Sequence, residues 1–405
     1  MEKPFWKSFR GKSNRLTGRN RGNSLNIKKQ LDPEFVRIAL RESIRDSSGA
    51  RHPTRDLDTH LRMAMNWLAL AQDQTGNGGV SAGFGRQGWR PDYPETTGYI
   101  IPTFLDYFHV TGDSNLLNRA RRMGEYELRV QTKEGAIPGG YAEPRSPCVF
   151  DTGQVILGWV ALYHETKQMD YLQAAQAAGD WLRSIQAPNG SWPTHDHARS
   201  ARAYHARVSW ALVMLGQSSR EARFIETACQ QLDWTLSQQQ PNGWFAQAEL
   251  RGKAFPVTHT IAYTIRGLLE SGAALKENRY VTAAGRAADA LLGRQLDDGS
   301  LRGAFDSTWT DRVSWRCVTG CAQMSLNWLR LYELTNQEHY LQAAQKSNLF
   351  VSQTQDLEVN GPPRGAIKGA WPFYGSYERF AYPNWATKFY ADALMLERKL
   401  TRGKS

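Results

Sequence analysis

Three features of the sequence predict an all-α fold, a closed (α/α)6 toroid built from six helical hairpins. A helical segment ending in Gln and a polar, Gly-containing turn recurs at intervals of about 55 residues. Between these turns two kinds of helix alternate, one amphipathic and one apolar around its whole circumference. The connections into the second kind are long and crowded with aromatic residues.

The turns come first. Gln74, Gln131, Gln186, Gln240 and Gln295 precede polar turns that carry Gly79, Gly135, Gly190, Gly243 and Gly299, and a sixth, looser turn follows Gln355 and reaches Gly361. The amphipathic helices are expected over 57–73, 114–131, 169–186, 221–239, 277–295 and 337–354. In two of them the phrase Tyr-Leu-Gln-Ala-Ala recurs, at Tyr171–Ala175 and Tyr340–Ala344. The apolar helices are expected over 97–110, 151–166, 205–216, 259–272, 317–335 and 384–398. A helix without a polar face must be buried on every side, so the apolar set forms an inner ring and the amphipathic set an outer one. An open solenoid would expose the inner set and would need capping repeats. The long loops, near 80–96, 136–150, 191–204, 244–258, 300–316 and 361–383, each join an outer helix to an inner one. All six therefore open on one face, the face expected to carry function.

Composition sets the bounds. The chain has 405 residues, 41% hydrophobic and 22% charged, which is the profile of an ordinary globular protein. No apolar run is long enough for a membrane-spanning helix. The net charge of +11 is unevenly placed: residues 1–30 hold nine basic side chains and one acid, and the rest is nearly balanced. A nucleic-acid-binding surface on the body is thereby excluded. The expected organisation is a basic, flexible arm over 1–50 and a single toroid over 51–400. The arm is read as solvated, with a peripheral contact to an anionic lipid surface as the alternative. No apolar segment follows the basic N-terminus, so no secretory leader is expected. Four cysteines are too few for a disulfide scaffold, and the expected location is the cytoplasm.

The repeat period, the turns Asn189-Gly190-Ser191-Trp192 and Asn242-Gly243-Trp244-Phe245, and the loop aromatics resemble the (α/α)6-toroid carbohydrate-active enzymes. That group includes polysaccharide lyases, unsaturated uronyl hydrolases, uronate C5-epimerases and sugar 2-epimerases, and the resemblance covers about 55–400. It implies an acidic, uronate-containing glycan as substrate. Squalene-cyclase-like, protein-prenyltransferase-like and lanthionine-cyclase-like toroids share the architecture. The sequence lacks the acid clusters of terpene cyclases, and it also lacks a phosphate-binding glycine loop.

The loop ends supply the chemistry. Proton abstraction beside a uronate carboxylate, leading to elimination or epimerisation, needs a base, an acid and a cation for the carboxylate. The catalytic candidates are His259, His205, Tyr263 and Tyr204. Arg207, Arg266, Arg312 and Lys368 are expected to hold the charged substrate, and Trp192, Trp244, Trp315, Trp371, Tyr93 and Tyr141 to stack on sugar rings. Glycoside hydrolysis instead needs two carboxyl groups, drawn from Asp92, Glu95, Glu143, Asp151, Asp196 and Glu378. Asp151 leads this set because the resemblance places an acid–base Asp of uronyl hydrolases at a comparable point. A non-catalytic glycan-binding toroid is the third reading. Cys317 and Cys321, four apart on one helix face, make a weak zinc signal; no metal and no cofactor is expected.

Overall fold

The computed structural model describes residues 32–402 apart from 144, 198 and 251. The ring of six hairpins is present and closed. The outer helices are α2 (Leu57–Asp73), α4 (Ser114–Val130), α6 (Met169–Ser184), α8 (Ala222–Ser237), α10 (Asn278–Leu292) and α12 (Glu338–Ser352). The inner helices are α3 (Pro94–Thr111), α5 (Val149–Thr166), α7 (Ala206–Ser219), α9 (Thr258–Leu275), α11 (Val318–Thr335) and α13 (Asn384–Arg402). Each inner helix packs on the next, and α13 closes the ring against α2 and α3. Glycines let the inner helices approach: a Cβ on Gly98 of α3 would come within 2.6 Å of Val155 on α5, and one on Gly267 of α9 within 2.2 Å of Ala206 on α7.

One device repeats at every turn. A Gln near the end of each outer helix sends its Nε2 donor to two backbone carbonyls, one in its own turn and one on the next outer helix. Gln131 donates to Gly135 and Ala174 at 2.9 Å each, and Gln186 to Gly190 and Thr227 at 2.8 and 2.9 Å. Gln295 does the same with Gly299 and Ala343 at 3.1 and 2.9 Å. The turn glycine has a positive φ, and a Cβ there would strike the adjoining outer helix: Gly190 has φ 85°, and its Cβ would lie 2.4 Å from the Gln230 carbonyl. Three turns are built one to four residues from where the sequence pattern puts them. The clamps are Gln72 with Gly78, and Gln239 with Gly243, so Gln72 takes the role expected of Gln74 and Gln239 that of Gln240. At the sixth turn Gln355 binds Gly365, not Gly361, and reaches back to His60 of α2, closing the circle.

Part of the segment expected as an arm, 1–50, is a packed helix. Residues Pro33–Ser47 form helix α1, which enters with Pro33 and an Asp32 cap and buries Phe35 and Ile38 against Phe84 and Phe373. Residues 1–31, with the expected solvated arm and its lipid contact, lie outside the described residues. Lys368 locks α1 to the last long loop. It is fully buried, with its Nζ 3.0 Å from Glu42 and from both oxygens of Asp46. A buried ammonium between two buried carboxylates is an element of structure, which corrects its expected place in substrate binding.

The loops are tied by short antiparallel strands. β1 (Gly83–Gly85) pairs with β2 (Gly88–Trp89) and with β5 (Tyr382–Pro383), joining the first loop to the last, and β3 (Arg316–Cys317) pairs with β4 (Ala370–Trp371). No helix among the described residues is long and apolar enough to cross a membrane.

Replacing Gln186 by Ala leaves two backbone carbonyls without their donor and should cost about 1–2 kcal/mol. Gly190→Ala should cost more, because the backbone must also leave its left-handed conformation. Urea unfolding of both variants checks this; equal stability of all three proteins would show that the clamp contributes nothing.

Candidate functional site

The N-terminal ends of the inner helices converge on a cavity of about 520 Å³. Its walls are aromatic: Tyr93, Tyr141, Phe150, Tyr204, Tyr263, Tyr377 and Trp385, with His197, His259, Glu95 and Glu378 as the imidazole and carboxyl side chains. Tyr93 meets Tyr141 and Trp385 edge-on at 5.5 and 6.3 Å between ring centres. Trp385 donates its indole N–H to the Tyr377 hydroxyl at 2.9 Å.

Two carboxyl groups lie in the first turns of neighbouring inner helices, Glu95 on α3 and Asp151 on α5. The placement depends on helix starts that precede the expected ones: α3 opens at Pro94, which is preset for a first helical position, and α5 at Val149. Asp151 is therefore inside the helix, and its side chain is free for other partners. It is fully buried and accepts from the Gly140 backbone at 2.9 Å and from His197 Nε2 at 2.8 Å. Glu95 lines the cavity and takes a short hydrogen bond from the Tyr93 hydroxyl.

Environment drives the titratable groups of this cluster apart. Burial, then the charge of Asp151, pushes the Glu95 carboxyl up to about 8, so it is a protonated acid at neutral pH. The neighbouring Asp151 carboxylate holds the His197 imidazole protonated far above its ordinary range, against the opposing effect of burial. The His197 side chain is 43% exposed and is the cation facing the cavity. On another wall, burial lowers the His259 imidazole to about 3. Its Nδ1–H donates to Gln323 at 2.7 Å, which leaves a neutral ring with Nε2 as acceptor. That ring packs 4.4 Å from Tyr263.

The expected site residues divide. His259, Tyr263, Tyr204, Tyr93 and Tyr141 line the cavity, and Asp151 sits behind it through His197. His205 does not line it: the ring is fully buried, 3.0 Å from Asp196. Trp192 is core, its indole bonded to the Leu182 carbonyl at 2.8 Å, and Trp244 packs on Trp309 at 5.1 Å. Trp315 covers Gly303, and Trp371 lies under Arg51 and Arg316. Arg312 pairs with Asp306 in the fifth loop, while Arg207 and Arg266 line a separate cavity at the other end of the ring. The nine residues His205, Arg207, Arg266, Arg312, Lys368, Trp192, Trp244, Trp315 and Trp371 thus lie outside the wall of this cavity. The wall residues that the sequence reading leaves without a leading role are Glu95, His197, Tyr377 and Trp385. His197 stands in the His195-Asp196-His197 run, which marks the loop without saying which His faces inward.

Among the described residues, Cys148, Asp151 and His197 place one ligand atom each within 4.8 Å of one another and could hold a cation. In the structure Asp151 and His197 bond to each other, and burial pushes the Cys148 thiol up to about 12. Glu42, His52 and Asp356 form a second such group, beside the Lys368 ammonium. Cys317 and Cys321 instead accept hydrogen bonds from the backbone of Gly320 and Leu301 in the core.

Residues 92–277 match the family model of the squalene-hopene cyclase C-terminal domain. No curated protein matches the sequence. Among solved structures the chain is similar to an unsaturated glucuronyl hydrolase specific for heparin, with TM-score 0.70, 17% identity, and 85% of this chain and 98% of that one covered. It is similar to the glycosaminoglycan-degrading unsaturated glucuronyl hydrolase of Bacillus sp. GL1, with TM-score 0.67, 14% identity and coverage of 86% and 97%. The unsaturated glucuronyl hydrolase of Streptococcus agalactiae follows the same course, with TM-score 0.62, 13% identity and coverage of 87% and 94%.

The imidazole resonances of His197 should remain those of an imidazolium at pH 8, where an ordinary His of pKa ~6.5 is neutral. In Asp151→Asn the ring should titrate near the ordinary value. Nuclear magnetic resonance of selectively labelled protein reads both, and a neutral His197 at pH 7.5 in the unmodified protein would refute the ion pair. The chain has the (α/α)6-toroid fold of the unsaturated glucuronyl hydrolases it is compared with.

Proposed function

We propose that this chain is a carbohydrate-active enzyme that hydrolyses a short uronate-containing saccharide in the cytoplasm, with Glu95 as its acid. The observation that carries the reading is a buried carboxyl, Glu95, at the wall of an aromatic-lined cavity, beside an Asp151–His197 pair. Flat aromatic faces suit the C–H side of sugar rings. The His197 imidazolium suits the uronate carboxylate, a role for which the expected arginines are misplaced. The unsaturated glucuronyl hydrolases that share the fold are acid-saccharide enzymes by name, and an unsaturated uronyl residue is the substrate proposed for this cavity.

Its reactive bond is an enol ether. Glu95 gives its proton to the double bond, and water adds to the oxocarbenium carbon that results. The Glu95 carboxylate then takes back a proton from that water, leaving a hemiketal that opens with release of the neighbouring sugar. Atoms balance with one water consumed, and one carboxyl group serves both proton transfers. Asp151 acts through His197 and is a positioning residue.

Proton abstraction by lyase or epimerase action is the second reading. It is favoured by His259 and Tyr263, a neutral acceptor and a phenol in contact on another wall. It is placed behind hydrolysis because it gives no role to Glu95, which lines the cavity beside the Asp151–His197 pair.

Incubation with unsaturated uronyl disaccharides should remove the ultraviolet absorbance of the double bond as product forms. Glu95→Gln should lower turnover about 10²-fold or more with the helical signal intact. Because the active form of Glu95 is protonated, the rate should fall as pH rises through about 8. His197→Gln should raise KM for charged substrate more than it lowers kcat. New absorbance appearing from intact acidic polysaccharide, with Glu95→Gln fully active, would replace this reading with the lyase one.

A further inference from the structure

We infer that the opposite mouth of the ring is a second binding site, for an organic anion with an apolar body, either a carboxylate or a phosphate ester. The inner helices enclose a second cavity there, about 800 Å³ in volume. The hydroxyl-bearing rings of Tyr99 and Tyr263 lie between it and the first cavity, and Arg207 stacks over both at 5.6 and 5.1 Å.

Arg207 is the reason to expect an anion. It lines the second cavity yet is only 3% exposed. Its Nε donates to the Gln154 side-chain oxygen at 2.5 Å. The rings of Trp210 and Phe389 complete its surroundings at 5.3 and 5.4 Å. Among the described residues no carboxylate lies within ion-pair distance of it. A buried guanidinium supported by four aromatic faces and one amide is under-compensated, because cation–π contacts offset only part of the lost hydration.

The other deep cations add to this field. Arg266 and Arg330 share Glu270 at 2.8 Å each, and Lys388 pairs with Asp392 at 2.5 Å. Four cations at the base of the cavity thus meet three carboxylates in direct contact, since Arg330 also pairs with Glu333. A fourth acid, Asp106, is pushed up to about 6 by burial and by Asp392. Nearer the rim, Lys399 binds Glu333 at 2.9 Å, and Arg398 binds Asp58, as Arg402 does. The remaining wall is largely apolar, with Leu157, Val160, Trp210, Met214 and Leu326, and also carries His109 and His164. A cationic floor under apolar sides suits a charged head on a hydrocarbon or aromatic body, and suits inorganic phosphate less.

The test is isothermal titration calorimetry of the full chain with octyl phosphate and with octanoate, both kept below micelle-forming concentrations. Inorganic phosphate and octyl glucoside are the comparisons. Saturable binding of one or both amphiphilic anions at one site per chain is expected, at least tenfold tighter than either comparison; which of the two binds better separates a phosphate ester from a carboxylate. Arg207→Met should abolish it. Because that variant removes a buried contact network, Lys388→Met and Trp210→Ala are measured alongside and should each weaken binding at least fivefold. Trp210→Ala should leave the weak affinity for inorganic phosphate unchanged. Absence of saturable binding by both anions would overturn the inference, as would binding that none of the folded variants alters.

Discussion

Every turn of this ring depends on one side-chain amide. A Gln at the end of an outer helix must satisfy a carbonyl in its own turn and another on the following outer helix, and its two N–H groups can do both at once. The adjoining glycine exists to let that contact happen, since a side chain there would push the next outer helix away. Repeated around the circle, the clamp sets the angle between hairpins, and Gln355 reaching His60 makes the last hairpin the neighbour of the first. The inner helices contribute apolar burial, and the clamps convert that burial into a closed ring.

Closure has a chemical consequence. Six inner helices that all point the same way gather their N-termini at one mouth. There the aromatic loops exclude water, and two carboxyl groups come close enough to oppose each other's ionisation. A pair of acids so placed cannot both be charged cheaply. Asp151 accepts hydrogen bonds from His197 and the Gly140 amide, while burial and the Asp151 charge push the Glu95 carboxyl up. The difference between an acid and an anion thus follows from partners, although the two side chains are near relatives. At the other mouth the imbalance has the opposite sign, with Arg207 buried among rings and lacking a carboxylate partner among the described residues.

The architecture was legible in the sequence because the repeat is written in residue types that have few substitutes: Gly for a positive φ, Gln for a double donor. Its register was less legible. Gln72-Asp73-Gln74 and Gln238-Gln239-Gln240 each offer several amides, and the carbonyl of a helix distant in sequence decides which one is used. The site was legible in parts. His259 and Tyr263 stand one turn apart at the start of an inner helix and do face the cavity. Arg266 shares that helix face but lies seven residues on, about 10 Å along the axis, and so reaches the other mouth. The loop tryptophans illustrate a second failure, because composition records that rings are in loops and not which way they point. Trp192 and Trp244 fill space behind the turns. Glu95 was obscured by a helix start placed three residues late, which put it in a loop among five other carboxylates.

Hydrolysis as proposed requires Glu95 to be a neutral acid. Infrared difference spectroscopy between pH 6 and pH 9, comparing the unmodified protein with Glu95→Gln, addresses that claim without a substrate. The account predicts a protonated-carboxyl C=O band that persists at pH 7, disappears with a midpoint near 8, and is missing from Glu95→Gln. A Glu95 that is already ionised at pH 6, titrating in the ordinary carboxylate range near 4–5, would contradict it.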